Sequence, residues 1–313
     1  MFSTRNPQLA GILCIVAGAV MILCNDVAIK WMSADYPIHQ LVLIRSLIAI
    51  PITLVILQFE GSWRGLKTQH PWLHAFRGVL IATANMTFFL GLAALPLADA
   101  MVLFFVAPLF ITALSVPMLG ERVGWRRWLA VLTGLAGVIV MQRPGSGLFV
   151  WAALLPVIAA ACYALMQVLT RLMGTVERAA VMAFYLQLAF LTISALAGLA
   201  LGAGHFGSTG DPSLDFLLRA WRWPQQQHIF AMLVSGVCMS IGVYLATQAY
   251  RLAQAGAVAP FEYASLPWGL LAGFLIWGDI PDIFSMLGML LIVGSGLFVW
   301  HRESQFREAP HGA

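Results

Sequence analysis

Apolar runs of about twenty residues recur from one end of this chain to the other, and no other feature limits its fold so strongly. A helix needs about 20 mostly apolar residues to cross about 30 Å of hydrocarbon, and it satisfies its own backbone polar groups on the way. With Trp, charged residues, Pro and Gly as end markers, the pattern predicts ten spans. They fall near 10–30, 38–58, 74–94, 97–118, 126–142, 148–170, 179–203, 229–251, 256–278 and 283–300. Hydrophobic residues make up 61% of the 313 and charged residues 10%, so function is expected inside the bundle rather than in a soluble domain. Most links are short. In the longer 204–228 link, "SLDFLLRAWRW" predicts a short helix lying at the membrane interface.

The basic residues give orientation. With the N-terminus in the cytoplasm, twelve Lys and Arg fall on or near that side, Arg64, Lys67, Arg77 and Arg178 among them, against four on the other, Lys30, Arg143, Arg219 and Arg222. Both termini are therefore expected in the cytoplasm. Although the net charge is +4, these residues are dispersed over loops and form no stripe, so no nucleic-acid partner is expected. Cys14, Cys24, Cys162 and Cys238 lie in apolar runs without a CxxC, and the histidines sit near span ends or in tails. No metal or other cofactor is expected. The first run lacks a small-residue cleavage site and should remain as helix one. The chain has no HExxH, no GxSxG and no Ser/His/Asp set at one depth, which argues against an intramembrane enzyme.

Internal similarity decides the architecture. "DVAIKWM" (26–32) parallels "QVLTRLM" (167–173), and "PLADAMVLFFVAPLFITALSVPMLGE" (96–121) parallels "AQAGAVAPFEYASLPWGLLAGFLIWGD" (253–279). The second match pairs Gly120 with Gly278 and, within one residue, Pro108 with Pro267. Each half holds five spans, an odd number, so the second enters the membrane from the opposite side. The expected fold is an all-α integral membrane protein of ten transmembrane helices in two inverted five-helix repeats, 1–143 and 144–302, followed by a cytoplasmic tail, 303–313.

Across "LIRSLIAIP", "FFLGLAALPLADAMVLFFVAPLFITALSVPMLGERVGWRRWLAVLTGLAGVIVM" and "APFEYASLPWGLLAGFLIWGDIPD", the chain resembles the ten-helix drug/metabolite transporter superfamily with two EamA-type repeats. The resemblance covers nearly the whole chain. It implies a secondary transporter of small organic solutes with cytoplasmic termini, and it implies no particular substrate or direction.

Polar groups at depth need a partner, water or a role, because a charge near the bilayer centre costs on the order of 3 kcal/mol or more. Asp26 is followed at i+4 by Lys30, the spacing of a local ion pair. Arg45 lies about 10 Å inside span two and should face Asp26, Asp99 or an anionic solute group, either as a structural pair or as a binding group. Glu262 lies about 9 Å inside span nine with no local cation, and Gln187 is its expected hydrogen-bond partner. Burial without a cation also makes Glu262 a candidate proton carrier. Asp26, Arg45 and Asp99 then form one polar layer and Gln167, Gln187 and Glu262 another, on either side of a central cavity.

Pro108, Pro260 and Pro267 are expected to interrupt helices at the binding region, or else to be ordinary kinks. Trp268 falls near mid-depth, away from the interfacial belt of the other tryptophans, where it would stack on a planar or cationic solute or pack on a neighbour. Asn85, Tyr163, Ser240 and Tyr244 are mid-depth candidates for orienting a solute, with helix-to-helix hydrogen bonding as the alternative. The aromatic residues point to a heterocyclic solute, and Arg45 with Glu262 to an amino-acid-like zwitterion.

The sequence reading is therefore a multi-pass carrier of a small metabolite in a bacterial inner membrane, coupled to protons through Glu262. A facilitative exporter or exchanger and a non-transporting receptor or assembly subunit stand as alternatives. Its expected partners are the solute and the lipid bilayer, and a homodimer is left open.

Overall fold

A computed structural model of the chain describes residues 7–61, 66–68, 70–120, 125–142, 151–174, 176–204, 210–253, 255–258, 261–262 and 265–308. Among the described residues the regular structure is helical, with no strand. The first half runs through α1 (Pro7–Met32), α2 (Ile38–Glu60), α3 (Pro71–Ala94), α4 (Leu97–Phe104), α5 (Ala107–Leu119) and α6 (Trp125–Gln142). A single 3₁₀ turn, Trp151–Ala153, then leads into α7 (Leu154–Met173), α8 (Ala179–Leu201), α9 (Pro212–Leu218), α10 (Gln226–Leu252), α11 (Ala255–Val258), α12 (Leu266–Trp277) and α13 (Ile283–Glu308).

Among the described residues, seven helical segments are long and apolar enough to cross a membrane: Pro7–Met32, Ile38–Glu60, Pro71–Ala94, Asp99–Leu119, Trp151–Met173, Ala179–Leu201 and Gln226–Leu252. Pro267–Trp277 and Ile283–Ser295 are shorter apolar helices. The helix expected in the 204–228 link forms as α9. Asp211 caps it by accepting from the backbone N–H groups of Ser213 and Leu214, which satisfies two of its orphan donors.

Two elements read from the sequence as single rods are interrupted. The predicted span 97–118 breaks at Phe105–Val106, and Pro108 lies in the first turn of α5. Proline suits that place because it has no N–H to lose there, whereas inside a helix its ring strikes the preceding turn. The predicted span 256–278 breaks between α11 and α12, with Pro267 in the first turn of α12 and Phe261–Glu262 in a short 3₁₀ segment between the two. Pro108 and Pro267 therefore start helices rather than kink them. Pro260 lies outside the described residues. Both broken elements end alike, in a left-handed glycine, Gly120 (φ 69°) and Gly278 (φ 73°), which closes the last turn where a Cβ would be strained.

Packing is between close-fitting helices: α1 against α10, α3 against α7, α2 against α8 and α6 against α13. In lipid, small residues let backbones approach. At the α1–α10 crossing a Cβ on Gly18 would stand 3.2 Å from the Gly242 carbonyl oxygen and from the Ala246 nitrogen. The crossing is antiparallel, since Gly11 meets Ala249 and Ala253 while Asn25 meets Ser235.

Polar links tie the two halves together at each end of the bundle. At the end carrying residues 33–37, the Gln225 N–H donates to the Tyr36 hydroxyl (2.8 Å), Tyr36 contacts His228 Nδ1 (3.1 Å), and Trp221 Nε1 donates to His39 Nδ1 (2.6 Å). At the opposite end, Thr68 donates to Glu177, the Tyr185 hydroxyl donates to the Leu66 carbonyl (2.7 Å), and Tyr244 donates to Glu60 (2.7 Å). Arg77, read from the sequence as one of the basic loop signals, is instead wholly buried, and its Nη2 donates to Thr170 at 2.8 Å.

Candidate functional site

A cavity of about 130 Å³ lies at the centre of the bundle, walled by residues of α1, α3, α4, α7, α8 and α10 and by the broken segment around Glu262. Most of its wall is apolar. Ile15, Ala19, Ile22 and Asp26 line it from one face of α1, at the three- and four-residue spacing that stacks side chains along a helix. Met239, Val243, Ala246 and Thr247 do the same from α10.

Two polar clusters meet the cavity. In the first, Arg45 is buried to 1% exposure and donates from Nη1 to Asn25 Oδ1 (3.2 Å) and from Nη2 to Asn85 Oδ1 (2.6 Å). The Ser235 hydroxyl also donates to Asn25 Oδ1 (2.7 Å), and the Asn25 amide donates to Asp26 Oδ1 (3.0 Å). The guanidinium carbon stands 5.0 Å from the ring centre of Phe190 and 5.6 Å from that of Phe89. A cation at this depth is thus held by amide oxygens and aromatic faces, with the Asp26 charge close by.

In the second cluster Glu262, 5% exposed, accepts at Oε1 from the hydroxyls of both Tyr250 (2.6 Å) and Tyr163 (2.9 Å). Gln167 Nε2 in turn donates to the Tyr163 oxygen at 2.6 Å, and the Ser265 hydroxyl donates to the Glu262 backbone carbonyl at 2.9 Å. Phe104 packs tilted against the Tyr163 ring and edge-on to Phe88, each at 5.2 Å between ring centres, and all three line the cavity. Ser235 and Tyr250, which anchor the two clusters on α10, are fifteen residues apart, about 22 Å along the axis.

Of the residues singled out in the sequence, Asp26, Asn85, Tyr163, Gln167 and Glu262 line this cavity. Others go elsewhere. Arg45 stands behind Asn25 and Asn85 rather than on the wall, and it meets no anionic opening. Lys30 does not bond Asp26; its Nζ donates to the Leu95 carbonyl (2.7 Å) and stands 5.2 Å from the Trp277 ring. Gln187 is not the partner of Glu262, since its Nε2 points to the Met239 carbonyl at 3.5 Å. Ser240 pairs with Thr53 (2.9 Å), and Tyr244 reaches Glu60 near the end of α2, so neither touches the cavity. Trp268 is 57% exposed on α12 and does not line the cavity.

The sequence reading missed Asn25 and Tyr250. Tyr250 continues the α10 stripe of Met239, Val243 and Ala246 at helical spacing, a signal that places it on the cavity face. Asn25 had no such mark beyond its position next to Asp26.

Comparison with known proteins follows the same line as this geometry. A family model described as the EamA-like transporter family matches residues 8–143. The chain is 33% identical over 245 residues to a riboflavin transporter of Rhizobium johnstonii, covering 78% of this chain and 75% of that protein. It is 29% identical over 311 residues to a riboflavin transporter of Vibrio cholerae, covering 97% of each. Over 311 residues and 99% of each chain it is 25% identical to an S-adenosylmethionine uptake transporter of Rickettsia prowazekii. A solved crystal structure, 20% identical, superposes with a TM-score of 0.67 over 96% of this chain and shares its fold.

Proposed function

The chain belongs to the EamA-like transporter family, and from that premise we propose that it is a secondary transporter, which carries a small organic metabolite through the central cavity by alternating access. It is a multi-pass membrane transporter and not an enzyme. In this reading residues 1–143 and 144–302 are inverted five-helix repeats that rock about the cavity, the membrane is a bacterial inner membrane, and both termini, with the 303–313 tail, are cytoplasmic.

The pattern of helix contacts supports the repeats. If α1, α2, α3, α4–α5 and α6 correspond to α7, α8, α10, α11–α12 and α13, then the α1–α10 contact maps onto α7–α3, and α2–α10 maps onto α8–α3. Both members of each pair occur. The α2–α8 and α6–α13 contacts map onto themselves, as contacts across a twofold axis must. The paired interruptions at Phe105–Val106 and around Glu262, each followed by a proline-started helix and a left-handed glycine, obey the same relation.

One observation carries the proposal: residues of both halves wall one central cavity, and Glu262, in the segment between two helices, lines it. Irregular backbone at this depth is tolerated only where protein or a cavity receives it. The solute is placed between Asp26, Asn85, Tyr163 and Glu262. The relatives named for riboflavin and for S-adenosylmethionine point to a solute with a flat nitrogen heterocycle, for which Phe88, Phe104 and Tyr163 offer ring faces. Arg45, Gln187, Ser240, Tyr244 and Trp268 act as packing or positioning residues.

Glu262 is proposed as the coupling site, taking a proton when the solute leaves. The test is uptake into proteoliposomes of radiolabelled riboflavin, S-adenosylmethionine, nucleosides and amino acids, with and without a proton gradient. Saturable flux above empty vesicles is expected for at least one. Glu262→Gln should abolish gradient-driven accumulation, while exchange of a neutral solute such as riboflavin persists. Equal accumulation by the variant would remove proton coupling and leave a facilitative exchanger.

A further inference from the structure

The geometry points to Glu262 as the counter-ion for a positively charged group on the carried solute, an inference that rests on the carrier reading above and names its substrate class. The cavity wall contains two carboxylates, Asp26 and Glu262, and among the described residues no Lys, Arg or His. The two acids are not equivalent. Asp26 has the buried Arg45 guanidinium near it, joined through Asn25. Glu262 has only phenols: Tyr163 and Tyr250 both donate to Oε1, and among the described residues no cation pairs with it.

Its second oxygen, Oε2, accepts no hydrogen bond among the described residues. A carboxylate taken out of water without a cation is strongly disfavoured, and it either holds a proton or acquires a positive partner. Two phenol donors share Oε1, which orients the carboxyl group of a residue that lines the cavity. Tyr163, whose hydroxyl bonds Glu262, packs against Phe104 with ring centres 5.2 Å apart, both line the same cavity, and aromatic faces favour a cation that approaches them.

The remaining polar groups fit the same guest. Gln167 uses its amide nitrogen on Tyr163, and Asn85 uses its carbonyl on Arg45. Both residues line the cavity, and these bonds leave the Gln167 carbonyl oxygen and the Asn85 amide N–H outside the pairs just named. A flat heterocycle with an onium group, sulfonium or quaternary nitrogen, places its charge at Glu262 and its ring on Phe104. A proton and the cation then compete for one carboxylate. No bond is made or broken in the solute.

The test uses the full-length protein in detergent and matched probes that differ in charge. S-adenosylmethionine is compared with S-adenosylhomocysteine, which lacks only the methyl group and the sulfonium charge, and 1-methylnicotinamide, a pyridinium cation, is compared with nicotinamide. Riboflavin serves as a neutral flat ring. Binding by thermal-shift titration is expected to favour the cationic member of at least one pair by about tenfold or more, the size of a charge-assisted contact. Glu262→Gln keeps an oxygen for both tyrosine hydroxyls, and its unfolding midpoint checks the fold. It should reduce the preference to within about twofold, while Glu262→Asp, which keeps the charge, should retain it.

Neutral members bound as tightly as their cationic partners, or a preference that survives Glu262→Gln, would overturn the counter-ion assignment. In that case binding or uptake of riboflavin or another neutral member would leave the carrier reading standing. Absence of any binding across all five probes would overturn the counter-ion assignment, while saturable uptake of a nucleoside or amino acid would leave the carrier reading standing.

Discussion

The Tyr250 hydroxyl and Glu262 Oε1 meet at 2.6 Å, although the two residues lie on opposite sides of the α10–α11 junction. This contact ties the 3₁₀ segment that holds Glu262 to the end of α10 through a side chain. A hydrogen bond to a charged group contributes about 1.5–3 kcal/mol, more than a neutral one.

Tyr250→Phe should therefore lower the unfolding midpoint of the purified protein and slow uptake in proteoliposomes. Tyr163→Phe should do the same and also leave Gln167 without its acceptor. Melting curves and initial rates check both. A Tyr250→Phe protein equal to the parent in both measurements contradicts the role of the contact.

Asn85 joins the other cluster to the cavity, because its carbonyl holds Arg45 Nη2 and the residue lines the cavity wall. Asn85→Leu has similar bulk but leaves a guanidinium nitrogen unpaired in a buried place, a loss of about 1–3 kcal/mol. Arg45→Lys loses the fork that reaches Asn25 and Asn85 together. Both variants are expected to melt lower than the parent, and Asn85→Leu is expected to weaken solute binding as well. The melts and a binding titration on the same samples decide it.

At the α1–α10 crossing, Gly18→Val has no room without moving a backbone. Overpacking of this kind costs about 1–3 kcal/mol, and here it should also hinder any sliding of the two helices. Lower thermal stability and a fall in uptake rate are expected. Wild-type uptake by Gly18→Val shows that the crossing is looser than the structure has it.

Trp268 provides the contrast. It was expected near mid-depth from its place in the sequence, yet it faces outward. Trp268→Leu should change stability by no more than about 0.5 kcal/mol and leave solute affinity unaltered. An affinity change of tenfold, measured by titration, returns this residue to the binding site.

These residues also show what was readable in the chain. Apolar length sets the helices, because a bilayer accepts little else, and short links leave few ways to join them. The glycine and proline pairs Gly120–Gly278 and Pro108–Pro267 were legible because they perform backbone tasks that other residues do poorly. Glu262 stood out through its isolation. Its partners did not, since Tyr163 and Tyr250 come from α7 and α10 and only packing brings them together.

Depth along a helix can be counted from sequence, whereas rotation about its axis cannot once the helix is interrupted. That is why Trp268 was placed at a plausible depth and the wrong azimuth. Gln187 failed for a related reason: α8 packs on α2 and α3, which turns this residue toward Met239 instead of Glu262. Arg77 was taken for a loop charge because it lies near a span end, and nothing local reveals that α7 covers it with Thr170.

The central claim is that the cavity opens alternately to the two faces of the membrane. Its most direct measurement is labelling by a membrane-impermeant maleimide of single cysteines placed at Ser265 and at Ala84, in a protein whose own Cys14, Cys24, Cys162 and Cys238 have been replaced. Labelling is followed from each side of oriented vesicles, with and without a transported solute. The account predicts that solute raises labelling of one position and lowers that of the other. Labelling of both positions that moves in the same direction, or that does not respond to any transported solute, would contradict it.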